Sequence, residues 1–594
     1  MMKRLFPYFK GYKRQAILAP VLIALETICE LILPLLMAEI IDSGIQKGDM
    51  PVILKMGALM LVVAAAAMYC GVMSSKHAAF AAQGLGANLR KAQFDKISTF
   101  SFGNIDRFST ASLVTRLTND VTNVQNMVAM ALRLLIRSGV MIVASMAVAI
   151  YIRWQLAMIL IIAVPVIALV IGLLMKVCMG LFRAMQHRLD LLNETVQENL
   201  TAIRVVKSYV REEFEKEKFK TSNDNFTKAG MNVSLRIILM QPAMMLGISI
   251  STALILYLGG QTVLRGDLEI GLLSSLLNYV LMVLMSVMMV AMCLLMYTRA
   301  KACAQRIFEV IDTDSDIQDG SAPTLPEQAG QVEFRDVSFK YDTSGTGDNV
   351  LSHISFTAKP GQVIAVIGGT GEGKSTLVNL IPRFYDATEG EVLVDGINVK
   401  DYPLEDLRHR IGMVLQNNVL FSGTIRENLL WGNPDATEEE IIQAAKDAQS
   451  YDFIMSFPKG FDTWLEQGGV NVSGGQKQRL CIARALLRRP KVLILDDSTS
   501  AVDTKTDAKI REGLASYLPD TTKLIIAQRI SSVQEADRII IMEGGRIAQI
   551  GTHEELLQTS EIYRETFNSQ NKMTEEGSED SSDAQAKEGG EADE

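Results

Sequence analysis

Six long apolar stretches, near residues 17–41, 53–75, 131–152, 155–178, 239–263 and 270–297, limit what this chain can fold into. A helix needs about 20 residues to cross a bilayer, and each stretch meets that length. The connections between them alternate. Those after the first, third and fifth are short (DSGIQKGDM, RWQ, VLRGDLEIG), whereas those after the second and fourth run to roughly 50 to 60 residues and are rich in Lys and Arg. Positive charge stays on the cytosolic side. The long connections and both termini are therefore expected in the cytosol, in a multi-pass protein of the cytoplasmic (inner) membrane. Residues 189–219 carry apolar side chains at helical spacing, so the spanning helices should continue beyond the bilayer. The leading MMKRLFPYFKGYKRQ is basic and amphipathic, with no cleavage site after it, and reads as a membrane-surface helix.

A chain of 594 residues exceeds one ordinary domain. Hydrophobic residues make up 48% of it and crowd into the first half. From about residue 312 to 331, acids, Pro and Gly mark a linker. Beyond it short β-rich runs alternate with helical patterns, the sign of an α/β domain. The expected division is a transmembrane domain over 1–318, a linker over 319–331, an α/β domain over 332–570 and an acidic tail over 571–594. Residues 572–594 hold nine acids and two lysines, a net of −7 within a whole-chain charge of −9. Such a tail is expected to be disordered. The remainder is nearly neutral, which argues against nucleic acid as a partner. Six scattered cysteines without CxxC spacing predict neither a disulfide nor a zinc site.

Two stretches carry phosphate chemistry. GQVIAVIGGTGEGKST, residues 361–376, leads a buried strand into a loop that fits G-x-x-x-x-G-K-[ST]. Gly368, Gly369, Thr370, Gly371, Glu372 and Gly373 form a loop whose N–H groups can close around phosphate oxygens. Lys374 adds a cation, Ser375 a hydroxyl for Mg2+, and Thr376 continues into a helix expected to start at about Lys374. In VLILDD, residues 492–497, four apolar residues deliver Asp496 where it can hold the Mg2+ shell.

The neighbouring NVSGGQKQRLCIARALLRRPKVLILDD, residues 471–497, closely resembles the ATP-binding cassette (ABC) family. The resemblance makes Ser473, Gly474, Gly475 and Gln476 the signature motif. It makes Tyr341 the aromatic that stacks on adenine, and Gln416 in VLQNN the residue that joins the nucleotide and Mg2+ site to the membrane domain. Glu466 in TWLEQGG and Ser500–Ala501–Val502–Asp503 match the flanking loops. The six spans and STASLVTRLTND at 109–120 resemble the exporter branch, and the resemblance runs from residue 1 to about 570. It implies a six-span α-helical transmembrane domain with long intracellular helices, followed by an α/β P-loop domain. That domain would bind ATP and Mg2+ and hydrolyse ATP to drive transport.

The chain departs from this family at two positions. The residue after the Walker B aspartate is usually a Glu acting as general base. Here it is Asp497, about one C–C bond shorter, and a misplacement of ~1 Å can cost ~10²-fold in rate. A His after the next strand usually contacts the γ-phosphate. Here it is Gln528, which can hydrogen-bond but cannot carry the imidazole's proton. With the phosphate loop and signature intact, the pattern resembles the degenerate-site subunit of a heterodimeric bacterial multidrug exporter. Each ATP in this family lies between one subunit's phosphate loop and the other's signature. This chain would give a weak Walker B half to one site and a sound signature to the other. A slow, symmetric homodimer is the alternative.

Cargo is read from the apolar stretches. Glu26 and Glu30 lie one helical turn apart in LIALETICELILP. Carboxylates at such depth are costly and face a cavity or a partner, so both are candidates for cation binding, with a structural role equally open. Met crowds the sixth stretch, MVLMSVMMVAMCLLMY at 282–297, and flexible thioethers suit an adaptable pocket. A small amphipathic compound is the expected cargo. Lipid or peptide export by a homodimer and an ATP-operated membrane sensor are the rival readings.

Overall fold

A computed structural model describes residues 2–322, 329–341 and 348–570. The middle of the expected linker and the acidic tail at 571–594 lie outside the described residues. The chain divides into two compact units. One comprises Met1–Ser98 and Ala111–Thr313, the other Thr99–Thr110 and Asp314–Glu594.

The first unit is helical. Among the described residues, five helices are long and apolar enough to cross a membrane: Lys13–Ile45, Met50–Ile97, Thr110–Thr201, Glu212–Leu264 and Ile270–Asp312. The third and fourth apolar stretches share the run Thr110–Thr201. Between them Arg153 leaves helical geometry (φ −161°, ψ 106°), so that run holds two helices and the six expected spans are accounted for. At about 1.5 Å per residue, Met50–Ile97 extends ~70 Å, more than twice the hydrocarbon thickness. Leu59, Leu61, Val62, Met68 and Val72 on that helix are exposed. Acyl chains are as apolar as these side chains, so in a bilayer that exposure carries no penalty. Helices approach one another at small residues. Gly84 backs onto the Tyr12 ring, where a Cβ would come within 2.2 Å, and Ser74 donates to the Ala19 carbonyl at 2.9 Å. The buried carboxylate of Asp42 accepts from the Gly271 N–H at 2.6 Å, filling an orphan donor in the first turn of Ile270–Asp312.

The second unit is α/β. Its larger sheet runs in the spatial order Arg546–Gly551, Arg538–Glu543, Val363–Gly368, Thr522–Ile526, Val492–Asp496, Ile411–Val414. All neighbours pair parallel except the outermost, Arg546–Gly551. The inner strands are covered on both faces, which is why they read as near-continuous apolar runs. Ile526 lies opposite both Val366 and Asp496. Three strands thus end at one level, and the loops leaving their C-terminal ends converge where parallel sheets bind ligands. An antiparallel sheet, ordered Leu351–Ala358, Val332–Phe339, Glu389–Val394, Ile397–Asn398, shares its core through Phe334, Phe356, Ile364 and Ile494.

Segment 99–110 belongs in sequence to the long connection after the second span, yet it packs within this α/β unit. Ser101 and Asn104 cap helix Phe102–Phe108 reciprocally. The Phe102 ring lies 4.5 Å from that of Phe384, and the Tyr385 hydroxyl donates to Asp106 at 2.7 Å.

Candidate nucleotide site and membrane charge cluster

Strand Val363–Gly368 runs into the phosphate loop, and helix Lys374–Asn379 begins where the loop ends. Gly373 sits at φ +84°, and a Cβ there would come within 2.9 Å of the Val350 carbonyl, so both backbone and space require glycine. The Lys374 ammonium donates to the Gly368 and Gly369 carbonyls at 2.9 and 2.5 Å. Burial pulls its pKa down, opposed by the charges of Glu372, Asp496 and Asp497. Ser375 Oγ donates to Asp496 Oδ1 at 3.0 Å. Asp496 is 4% exposed, and burial pushes its carboxyl pKa up against that hydrogen bond. A hydroxyl and a carboxylate side by side suit Mg2+, which takes one or two protein oxygens and fills its shell with water and phosphate. No cluster of three or more His, Cys, Asp or Glu able to hold a metal occurs among the described residues.

Asp497 follows in the left-handed conformation (φ +49°), its N–H donating to the Ile526 carbonyl at 3.0 Å. Gln528 Nε2 donates to Asp497 Oδ2 at 2.9 Å. The two positions at which the chain departs from the family pattern therefore touch. Sheet order explains it, because Thr522–Ile526 and Val492–Asp496 are parallel neighbours and their following loops leave side by side. Burial raises the Asp497 pKa, opposed by hydrogen bonds from Gln416 and Gln528 and by the charges of Lys374 and Arg529. Gln416, in the loop after Ile411–Val414, thus reaches the same carboxylate.

Tyr341 borders the same helix, with its hydroxyl 3.0 Å from Thr376 Oγ1 and its ring edge-on to Phe339 and Tyr385. Ser473 caps helix Gly474–Leu487, accepting from the Gln476 N–H at 3.3 Å while its own N–H donates to Gln476 Oε1 at 2.9 Å. From that helix Gln478 donates to Ser500 Oγ at 3.2 Å and accepts from the Ala501 N–H at 3.0 Å. Ser500 in turn donates to the Asp497 carbonyl at 3.0 Å. The fold thus gathers Lys374, Ser375, Asp496, Asp497, Gln416 and Gln528 at one sheet end. The helix that the signature motif opens thus reaches that cluster from Gln478 through Ser500.

In the helical unit, Glu26 and Glu30 are not free carboxylates. Arg137 Nη1 donates to Glu26 at 3.0 Å, and Nη2 donates to both oxygens of Glu30 at 2.8 Å. The three side chains are 13–30% exposed. Arg137 is not among the residues expected from the sequence. Its signal was an arginine inside an apolar span, as costly there as the carboxylates. Glu30 and Arg137 line a cavity of about 570 Å³ together with six methionines, among them Met60, Met282 and Met285.

Two families of known sequence match the chain: the ABC transporter transmembrane region over residues 16–288 and the ABC transporter domain over 351–500. YfiB of Bacillus subtilis (strain 168), an uncharacterized ABC transporter ATP-binding protein, is 38% identical over 96% of this chain and 98% of its own length. This chain belongs to the ABC transporter family. The ATP-dependent lipid A-core flippase of Mannheimia succiniciproducens is 33% identical to it, over 95% of this chain and 96% of the flippase. A solved bacterial Atm1-family ABC exporter with ATP bound matches with a TM-score of 0.79 at 25% identity, covering 94% of this chain and 98% of that one. The protein is an ABC exporter, with an N-terminal helical transmembrane domain and a nucleotide-binding domain of mixed sheets.

Proposed function

We propose that this ABC exporter chain works as one subunit of a heterodimer, and that its own phosphate-loop site holds ATP without cleaving it efficiently. The Gln528–Asp497 hydrogen bond carries this reading. The carboxylate that should activate water is short, and one of its oxygens is engaged by an amide that has no proton to relay. Lys374, Ser375 and Asp496 keep what MgATP binding needs. Ser375 and, through water, Asp496 and Gln416 would hold Mg2+, which offsets the charge on the phosphates when bound. Tyr341 serves as the adenine platform, and Ser473 to Gln476 complete the partner subunit's site. The chain sits in the cytoplasmic membrane with both termini cytosolic and exports amphipathic or hydrophobic compounds. A methionine-lined cavity with one ion cluster, at Glu30 and Arg137, fits such cargo. Purification without cross-linking, followed by mass identification of a stoichiometric second subunit, tests the assembly. Expressed alone, the chain should hydrolyse ATP poorly, and vigorous turnover by a pure homodimer would sink the reading.

The identity to lipid A-core flippases favours one second reading, a homodimer that moves lipid. Proteoliposomes containing this chain alone separate the two. ATP-dependent movement of a labelled lipid would establish the second.

A further inference from the structure

Gln570 lies on the helix at 561–570, and its side-chain amide spans two backbone groups of the loop after strand Thr522–Ile526. Its Nε2 donates to the Gln528 carbonyl at 2.9 Å, and its Oε1 accepts from the Ile530 N–H at 2.8 Å. The helix is itself firmly seated. Tyr563 is fully buried with its hydroxyl 2.6 Å from His553 Nδ1, and Phe567 packs on the cluster that contains Ala527 and Ile530. Gln528 then donates to Asp497 Oδ2 at 2.9 Å. A continuous line of contacts runs from the helix at 561–570 to the carboxylate beside the phosphate loop.

We propose that Gln570 is a positioning residue for this chain's nucleotide site, fixing the backbone at Gln528 so that the Gln528 amide stays on Asp497. The inference rests on the reading of Asp497 and Gln528 as a weakly hydrolysing pair. Position 570 requires an amide of this length. A carboxylate would set an oxygen against the Gln528 carbonyl, and Asn is one methylene short. Once Gln528 is released, Asp497 can turn toward an attacking water, and ATP bound here is lost sooner.

The test uses the full chain with the subunit it co-purifies with, in nanodiscs loaded with 8-azido-ATP and Mg2+. After a chase with ATP, photolysis and quantification of the labelled peptide that carries Tyr341, where the adenine is placed in the proposed function, give the nucleotide lifetime at this site alone. Gln570→Met, which keeps length and removes both hydrogen bonds, should shorten that lifetime about fivefold, the factor for one net hydrogen bond. Gln570→Glu should do the same. In a Gln528→Ala background, Gln570→Met should add less than about twofold, because its effect passes through Gln528. An equal effect in both backgrounds, no effect at all, or full function with Glu would overturn the proposal. If the unaltered chain cleaves its ATP rapidly, the weak-site reading fails. The same double-mutant cycle, read on cleavage at this site, then still decides the role of Gln570.

Discussion

Gln528 gives its side-chain amide to Asp497 at 2.9 Å, across the ends of two neighbouring parallel strands. The shortened acid offers an acceptor, and the residue in the histidine position offers a matching donor. Departures that satisfy each other are the observation behind the proposed site that holds its nucleotide. Alongside, Lys374 donates to the phosphate loop and Ser375 to Asp496, the groups that hold MgATP in the proposed function.

The first prediction separates the two ATP sites of the proposed heterodimer. A general base contributes about 10²–10⁴-fold to rate. Asp497→Asn should leave steady-state ATPase within about threefold of the unaltered complex, because this position supplies little of that factor. Replacing the partner subunit's corresponding acid by its amide should lower turnover by about 10²-fold or more. Ser473→Arg in this chain should be comparably damaging, because it disrupts the signature facing the partner's ATP. Equal damage from Asp497→Asn would mean that both sites hydrolyse.

The second prediction concerns the cost of burying Asp496. Its pKa is raised in the folded chain, first by burial, so the folded state holds the proton more tightly than the unfolded one. That contribution is fully present below the ordinary value of 3.8 and is lost as pH rises through the folded pKa. At pH 7.5 and without nucleotide, Asp496→Asn should therefore raise the melting temperature by ~2 °C, while weakening MgATP binding. The gain should shrink as pH falls toward 3.8. A lowered melting temperature at pH 7.5 would show that the carboxylate stabilises the fold.

Much of the candidate nucleotide site was legible because its parts are contiguous in sequence: Gly368 to Ser375 run from one strand through a loop into a helix, and Val492 to Asp496 form one strand. The pairing of Gln528 with Asp497 was not, since it depends on which strands are neighbours, and that order is a property of the sheet. The helical unit was legible as apolar runs, but averaging over a run hides Arg137, whose partners lie 107 and 111 positions away. Segment 99–110 read as part of the membrane half because its amphipathic turn carries no mark of where it packs. Phe384 and Tyr385, which receive it, lie far along the chain.

That segment supplies the third prediction. Phe102 packs on Phe384, and Asp106 accepts from Tyr385. Phe102→Ala, which removes the ring contact and leaves the nucleotide residues untouched, should preserve basal ATPase and remove most of its stimulation by cargo. Parallel loss of basal and stimulated activity would assign Phe102 to stability alone.

The last prediction follows from Arg137 between Glu26 and Glu30. Removing one member of an ion cluster strands the others in apolar surroundings, at a cost of about 3–5 kcal/mol when fully buried and less at the exposure seen here. Arg137→Met should therefore reduce membrane yield and melting temperature. Adding Glu26→Gln and Glu30→Gln should restore both, because the triple variant leaves no unpaired charge. Transport by that rescued variant then separates the two roles of the acids. If Glu30 also meets cationic cargo in the cavity, neutral compounds should be exported normally and cations about tenfold more slowly, for want of the Coulomb attraction. Equal export of both classes would confine Glu26 and Glu30 to holding the helices together.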